Sequence, residues 1–290
     1  MPSKRKRKRA GVDRRSGAAA GIVIVLIAVV IGYLALKPSR QVAPRVTQCV
    51  VGPASQEVHL TADQAAIAAT IAGVASDRYM PPRAVAIAYA TALQESKLAN
   101  LHYGDLDSVG VFQQRPSEGW GKTKQIEDPV YATTRFFDAL AAVPHYLRMP
   151  IYVAAQDVQH SADGSAYGQY AAMGSEMATA FTGSQPHQVW CTYGSAPGSP
   201  RLTAASRALS SAFGPLSRRM SGDPAETVTV RDSRQGWAVA SWLVSNASGY
   251  GITFVRYDGY QWHGFRGAGH WTFQSAKARA QAAPSAVVFG

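Results

Sequence analysis

The chain has 290 residues, 29 Lys and Arg against 18 Asp and Glu, and a formal net charge of +11. Eight of the basic residues but only Asp13 among the acidic ones precede residue 17, so the remainder carries 21 basic against 17 acidic residues and is close to balanced. The seven histidines show no metal-ligand spacing, no Cys stands near a catalytic type of His, and no glycine-rich phosphate loop is present, which sets aside metal, thiol and nucleotide chemistry.

Lys4-Arg5-Lys6-Arg7-Lys8-Arg9 and Arg14-Arg15 make residues 1–16 a basic tail, and residues 17–36 follow without a charge, rich in Ile, Val, Ala and Leu. At about 1.5 Å per residue this stretch matches the roughly 30 Å hydrocarbon core of a bilayer. The basic flank keeps the N-terminus in the cytoplasm and exports everything after Lys37. The expectation is a single-pass signal anchor in the cell membrane. A cleaved signal peptide is the rival, but its apolar region usually runs about 7 to 15 residues before a small-residue cleavage site, and Leu34-Ala35-Leu36-Lys37-Pro38-Ser39 is a poor site of that kind. In a soluble protein the Lys/Arg run would suggest nucleic acid; directly before a span it sets topology, and no nucleic-acid partner is expected. One span without a buried ionisable residue cannot build a transporter's central site.

Residues 37–53, with Pro38, Pro44 and Pro53, form a stalk. A helical domain follows over 54–195. Thr61-Ala62-Asp63-Gln64 has capping-box spacing and opens an alanine-rich helix to about Ser76. Pro81-Pro82 permits only a first helical turn, and over 83–98 the residues Val85, Ile87, Ala88, Ala92 and Leu93 are dense enough for a buried helix. Asp128-Pro129 starts another, with Asp as cap and Pro in first position; segments 151–159 and 166–181 complete the helical set. Residues 196–222 are a linker with a short helix near 203–213. Residues 223–275 form a small α+β module: a strand at 226–231, a helix at 237–247, and strands at 251–257 and 260–265 joined by the hairpin signal Asp258-Gly259. An alanine-rich tail over 276–290 is expected to be loose. The fold class is therefore mainly α: a helical domain after one N-terminal transmembrane helix, with a small C-terminal α+β module.

Cys49 and Cys191 both fall in the exported part, where an oxidising environment lets a disulfide persist. If they pair, they bracket Glu95; the alternative is two unrelated buried thiols. Glu95 stands near the expected C-terminal end of its helix, where the negative pole of the helix dipole disfavours an anion and apolar neighbours act in the same direction. An acid held protonated nearer neutral pH suits cleavage of a glycosidic bond, whose leaving oxygen must receive a proton. Lys97 would oppose this, but residues two apart face different sides of a helix.

Glu95-Ser96 after an apolar helix, followed by Ser108-Val109-Gly110-Val111-Phe112-Gln113, resembles the first two motifs of the soluble lytic transglycosylase and goose-type lysozyme superfamily. Asp128-Pro129 before a helix resembles its next landmark. The wider text, from Gln94 through Gln113-Gln114-Arg115-Pro116 and Gly119-Trp120-Gly121, is similar to membrane-anchored actinobacterial members. The match covers roughly residues 62–181. The resemblance implies a lysozyme-like helical domain with peptidoglycan glycan strands in a cleft and no cofactor or metal. It implies that Glu95 is the acid, that Ser96 and Gln113 position it or the sugar, that Ser108 belongs to the same substrate-binding turn, that Gly110 lets the backbone approach the ligand, and that Phe112 and Trp120 form cleft walls. Transglycosylases of this group also carry a Tyr-Asn-Ala-Gly segment; the nearest counterpart here, Val153-Ala154-Ala155-Gln156-Asp157, lacks the Tyr. A hydrolase would need a second acid to activate water, for which Asp105 and Asp107 are candidates.

The expected function is thus extracytoplasmic cleavage of peptidoglycan glycan strands, by transglycosylation or hydrolysis. The alternative is a non-catalytic envelope protein that binds through an aromatic C-terminal module containing Trp237, Trp242, Tyr250, Tyr257, Tyr260, Trp262 and Trp271. Core packing is the favoured reading for most of those aromatics, since a small domain also needs large residues for its core.

Overall fold

The computed structural model describes residues 47–160, 164–195, 198–222, 225–265, 269–281 and 285–290. The basic tail, the span expected at 17–36 and most of the stalk lie outside the described residues.

The first strand, β1 (Gln48–Val51), is the middle of a three-stranded antiparallel sheet between β2 (Val58–Leu60) and β3 (Val189–Thr192). The stalk expected over 37–53 is corrected here, because its last residues are core: Cys49, Val50 and Val51 are fully buried. Cys49 lies directly opposite Cys191 in the β1/β3 register, and the two form a disulfide across a Cα–Cα distance of 4.0 Å.

Helix α1 (Ala62–Asp77) begins with the capping box legible in the sequence. The Thr61 hydroxyl accepts the Gln64 N–H at 3.2 Å, and Gln64 Oε1 accepts the Thr61 N–H at 2.9 Å. Helix α2 (Pro82–Ser96) starts with Pro82 in its first turn and is buried along most of its length, with Val85, Ile87, Ala88 and Tyr89 all inaccessible to water. It ends because Lys97 turns left-handed at φ 56°. Gln64 Nε2 donates to the Lys97 carbonyl at 2.9 Å, so the start of α1 fixes the end of α2. After a loop and a short 3-10 turn (Pro116–Glu118) come α3 (Thr123–Ile126) and α4 (Pro129–Ala142). Asp128 caps α4 by accepting the Val130 N–H at 2.9 Å. Helices α5 (Ile151–Gln159), α6 (Ser165–Gly168) and α7 (Ala171–Phe181) pack around α2.

The second half holds α8 (Leu202–Phe213), β4 (Arg218–Gly222), β5 (Ala225–Thr229), α9 (Ser233–Ser245), α10 (Ala247–Tyr250), β6 (Phe254–Tyr257), β7 (Tyr260–His263), β8 (Thr272–Phe273), α11 (Ala276–Gln281) and β9 (Ala286–Phe289). The strands form a six-stranded sheet in the order β4-β5-β9-β6-β7-β8. Asp258 and Gly259 both have positive φ, 46° and 78°, as the two-residue hairpin turn between β6 and β7 demands.

The expected fold class is corrected by this topology. The described residues form nine strands in two sheets beside the helices, so the chain is not a mainly helical protein with a minor appendage. No helix among the described residues is long and apolar enough to cross a membrane. The expected loose tail supplies β9, an interior strand of the larger sheet, with Val287 and Phe289 fully buried. The expected linker supplies β4, at the sheet edge. Both strands are too short for a period-two pattern to stand out from their Ala- and Ser-rich surroundings. Helix α9 packs on β6 and β9 and also on α1 and β3, so apolar side chains of both halves join one continuous core. The described residues belong to one compact unit.

Candidate active site

Three residues at the end of α2 reach the segment that contains α6. Gln94 Oε1 accepts from Gln169 Nε2 at 3.1 Å, Glu95 Oε1 accepts from the Tyr167 hydroxyl at 2.6 Å, and Lys97 Nζ donates to the Tyr170 hydroxyl at 2.6 Å. The Tyr167 ring is buried at 2% exposure, so its hydroxyl cannot wander from the carboxylate. Glu95 itself is half-buried, and its Oε2 accepts no hydrogen bond from a described side chain. Lys97 makes no ion pair with Glu95 and instead lies 4.7 Å from the centre of the Tyr170 ring.

Ser96 is buried and ties the helix end to the next motif. Its hydroxyl contacts the Val111 carbonyl at 2.7 Å and the Ala92 carbonyl at 3.1 Å, and accepts the Ala99 N–H at 3.2 Å. Ser96 thus positions the turn opposite Glu95 and has no free face for a sugar. The turn is a tight hairpin: Val109 and Gln114 exchange backbone hydrogen bonds at 3.1 Å, and Gly110 N–H donates to the Leu101 carbonyl. Ser108, at its start, is buried at 7% exposure, and its N–H goes to the Asp105 carbonyl at 3.0 Å.

Two residues of the motif have roles other than those the resemblance implies. Gly110 has φ +78°, and a Cβ there would sit 2.6 Å from the Ile126 carbonyl oxygen, so the close approach it permits is to α3. Phe112 is fully buried and stacks on Phe136 with ring centroids 4.5 Å apart, which makes it core and not a cleft wall. Gln113 and Trp120 do line an open cleft of about 490 Å³, together with Gln114, Arg115, Glu118 and His160. A second hollow shares Trp120, Ala139 and His160 with it, so the two are continuous. Glu95 is not among the lining residues. Its connection to the cleft is the turn, in which Val111 is held by Ser96 and Gln113 faces the cleft.

The two candidate second acids separate clearly. Asp107 accepts from Arg115 Nε at 2.9 Å, from the Ser117 N–H at 2.8 Å and from the Ser117 hydroxyl at 2.9 Å. The Ser117 N–H and then the Arg115 guanidinium hold its carboxyl down at about 2, which makes it a very weak base. Its work is to brace the loop. Asp105 is exposed, and its carboxylate has no hydrogen bond among the described residues.

Tyr167 is the residue that sequence reasoning missed. The expected tyrosine position near 153–157 is occupied by α5, where Ala154 and Ala155 are buried. A tyrosine from the following one-turn helix reaches the carboxylate instead. The only cue in the sequence is a lone Tyr set between small residues in Ser165-Ala166-Tyr167-Gly168. In the C-terminal half, Trp237, Trp242, Tyr257 and Trp262 are all buried at 3% exposure or less, so these four build the core. Among the described residues no group of three His, Cys, Asp or Glu converges as metal ligands would.

No protein-family model matches the chain, and no curated protein matches it either.

Proposed function

We propose that the protein cleaves glycan strands of peptidoglycan, with Glu95 as general acid and base. The observation that carries this reading is the 2.6 Å contact from the buried Tyr167 hydroxyl to Glu95 Oε1, at the end of a helix whose next residue, Ser96, docks the turn that contributes Gln113 to the cleft. Tyr167 fixes one carboxyl oxygen, and Oε2 is the atom assigned to the substrate in this reading. In the first step Glu95 gives its proton to the glycosidic oxygen as the bond to the anomeric carbon breaks. In the second the resulting carboxylate takes a proton from the attacking hydroxyl. That hydroxyl is the sugar's own when an anhydro ring closes, and water when the outcome is hydrolysis. The tyrosine hydroxyl on the acid and the engagement of Asp107 by Arg115 and Ser117 favour ring closure by one carboxyl over a two-carboxyl hydrolysis. The fully buried Cys49–Cys191 disulfide supports action outside the cytoplasm, where cross-links of this kind persist.

Mass spectrometry of the material released from purified sacculi tests the reading. Anhydro-ended muropeptides are the expected product, reducing ends would move the assignment to hydrolysis through Asp105, and the absence of any release would reject glycan cleavage.

A further inference from the structure

The loop between α2 and the hairpin turn holds two large apolar side chains in water, Tyr103 at 72% exposure and Leu106 at 74%. Single exposed apolar residues are ordinary on protein surfaces. What sets these apart is that the backbone carrying them is held on every side. His102 Nδ1 lies 2.9 Å from Glu127 Oε1, Asn100 Nδ2 donates to the Glu127 carbonyl at 2.7 Å, and Ser108 N–H closes onto the Asp105 carbonyl at 3.0 Å. Gly104 allows the loop to press onto Gln113, since a Cβ at that position would lie 1.9 Å from Gln113 Oε1. Leu106 is held in the left-handed region at φ 54°, which a leucine does not adopt unaided. Gln113 Nε2 donates to the Tyr103 carbonyl at 3.3 Å, and the same Gln113 lines the cleft. The loop therefore stands at the rim of the cleft, fixed by one of its lining residues.

We propose that Tyr103, with Leu106 beside it, is a sugar-binding platform that stacks on one saccharide of the strand entering the cleft. The proposal rests on the glycan-cleaving reading. A tyrosine ring offers an apolar face to the C–H face of a pyranose and a hydroxyl to the ring's oxygens, at the cost of only two side-chain torsions. Because the loop is already ordered, binding has no backbone to freeze. The occupant is a saccharide because the surface continuing from the platform is polar: Gln113, Arg115, Glu118 and Gln159 line the adjoining cleft. That chemistry matches hydroxyl and acetamido groups better than an apolar peptide or a lipid.

The test uses the Glu95→Gln protein, which holds substrate without turning it over, in cosedimentation with insoluble sacculi. Adding Tyr103→Ala should weaken binding about tenfold, in line with loss of one aromatic contact, whereas Tyr103→Phe should stay within about twofold. Phe273→Ala, which removes an exposed aromatic on β8, should leave binding unchanged. In protein that retains Glu95, Tyr103→Ala should raise KM and leave kcat and the melting temperature unaltered. Cleavage by the parent with equal binding by the Tyr103→Ala protein overturns the platform alone. A parent that neither cleaves nor binds sacculi overturns the glycan reading and the platform with it.

Discussion

Removing the Cys49–Cys191 cross-link should destabilise the fold severely while leaving the chemistry of the folded molecule intact. The two cysteines are separated by 142 residues, a loop that contains both Glu95 and Tyr167. In the chain-entropy model the lost constraint on the unfolded state is about 17 cal/mol/K for a loop of this length, or about 5 kcal/mol at 25 °C. Single domains are stable by about 5 to 15 kcal/mol in total, so the loss is a large fraction of the whole. For a unit of this size it corresponds to a fall in melting temperature of about 10 to 20 °C. Urea unfolding of the oxidised protein and of the protein kept in reductant, followed by tryptophan fluorescence, measures the difference on one sequence without opening a cavity. The Cys49→Ala/Cys191→Ala variant checks that the reductant acts only on this bond. Well below the reduced midpoint, folded protein should retain its turnover, because the cross-link acts through the unfolded chain. A loss under about 1 kcal/mol would refute the entropic reasoning, and two free thiols in natively purified protein would remove the cross-link itself.

Tyr167→Phe keeps the buried ring and deletes only the hydroxyl on Glu95, so kcat should fall about 10- to 100-fold with KM within about twofold, as for loss of a hydrogen bond to a charged group; unchanged kcat would remove Tyr167 from the mechanism. Phe112→Ala should cost about 3 to 5 kcal/mol in urea unfolding, because it opens a cavity against Phe136, and a cost under about 1 kcal/mol would return Phe112 to the cleft. The Asp107 carboxyl titrates at about 2 in the folded protein against an unfolded value near 3.8. A depressed carboxylate stabilises the fold fully above the unfolded value, so this contribution should be present above about pH 4 and fade as pH falls toward 2. An NMR titration of the Asp107 side chain should find its midpoint near the lower value, and Asp107→Asn should flatten the acid limb of the stability curve; a midpoint near 3.8 would contradict the loop-bracing role.

The elements legible in the sequence are those whose ends are written in local chemistry. The Thr61/Gln64 capping box, Pro82, Asp128-Pro129 and the Asp258-Gly259 turn each stand at an observed boundary. Strands β1 and β9 were hidden because four residues carry too little alternation to show against a proline-rich or alanine-rich background, and of their partners only β2 lies close in sequence. The position of Glu95 at a helix end could be read from its own neighbourhood. Its tyrosine partner could not, because the contact joins residues 72 apart and depends on how α6 docks. Phe112 shows the same limit from the other side: the motif fixes its spacing, but only the packing of α4 decides that its ring meets Phe136 instead of solvent.

The central claim concerns one carboxyl group, and the most direct measurement is the initial rate of sacculus solubilisation by wild-type and Glu95→Gln protein at equal folded concentration, with circular dichroism melts to show that both are folded. The account requires the rate of the variant to fall at least about 100-fold, the low end for loss of a general acid. Equal rates from two equally folded proteins would contradict it.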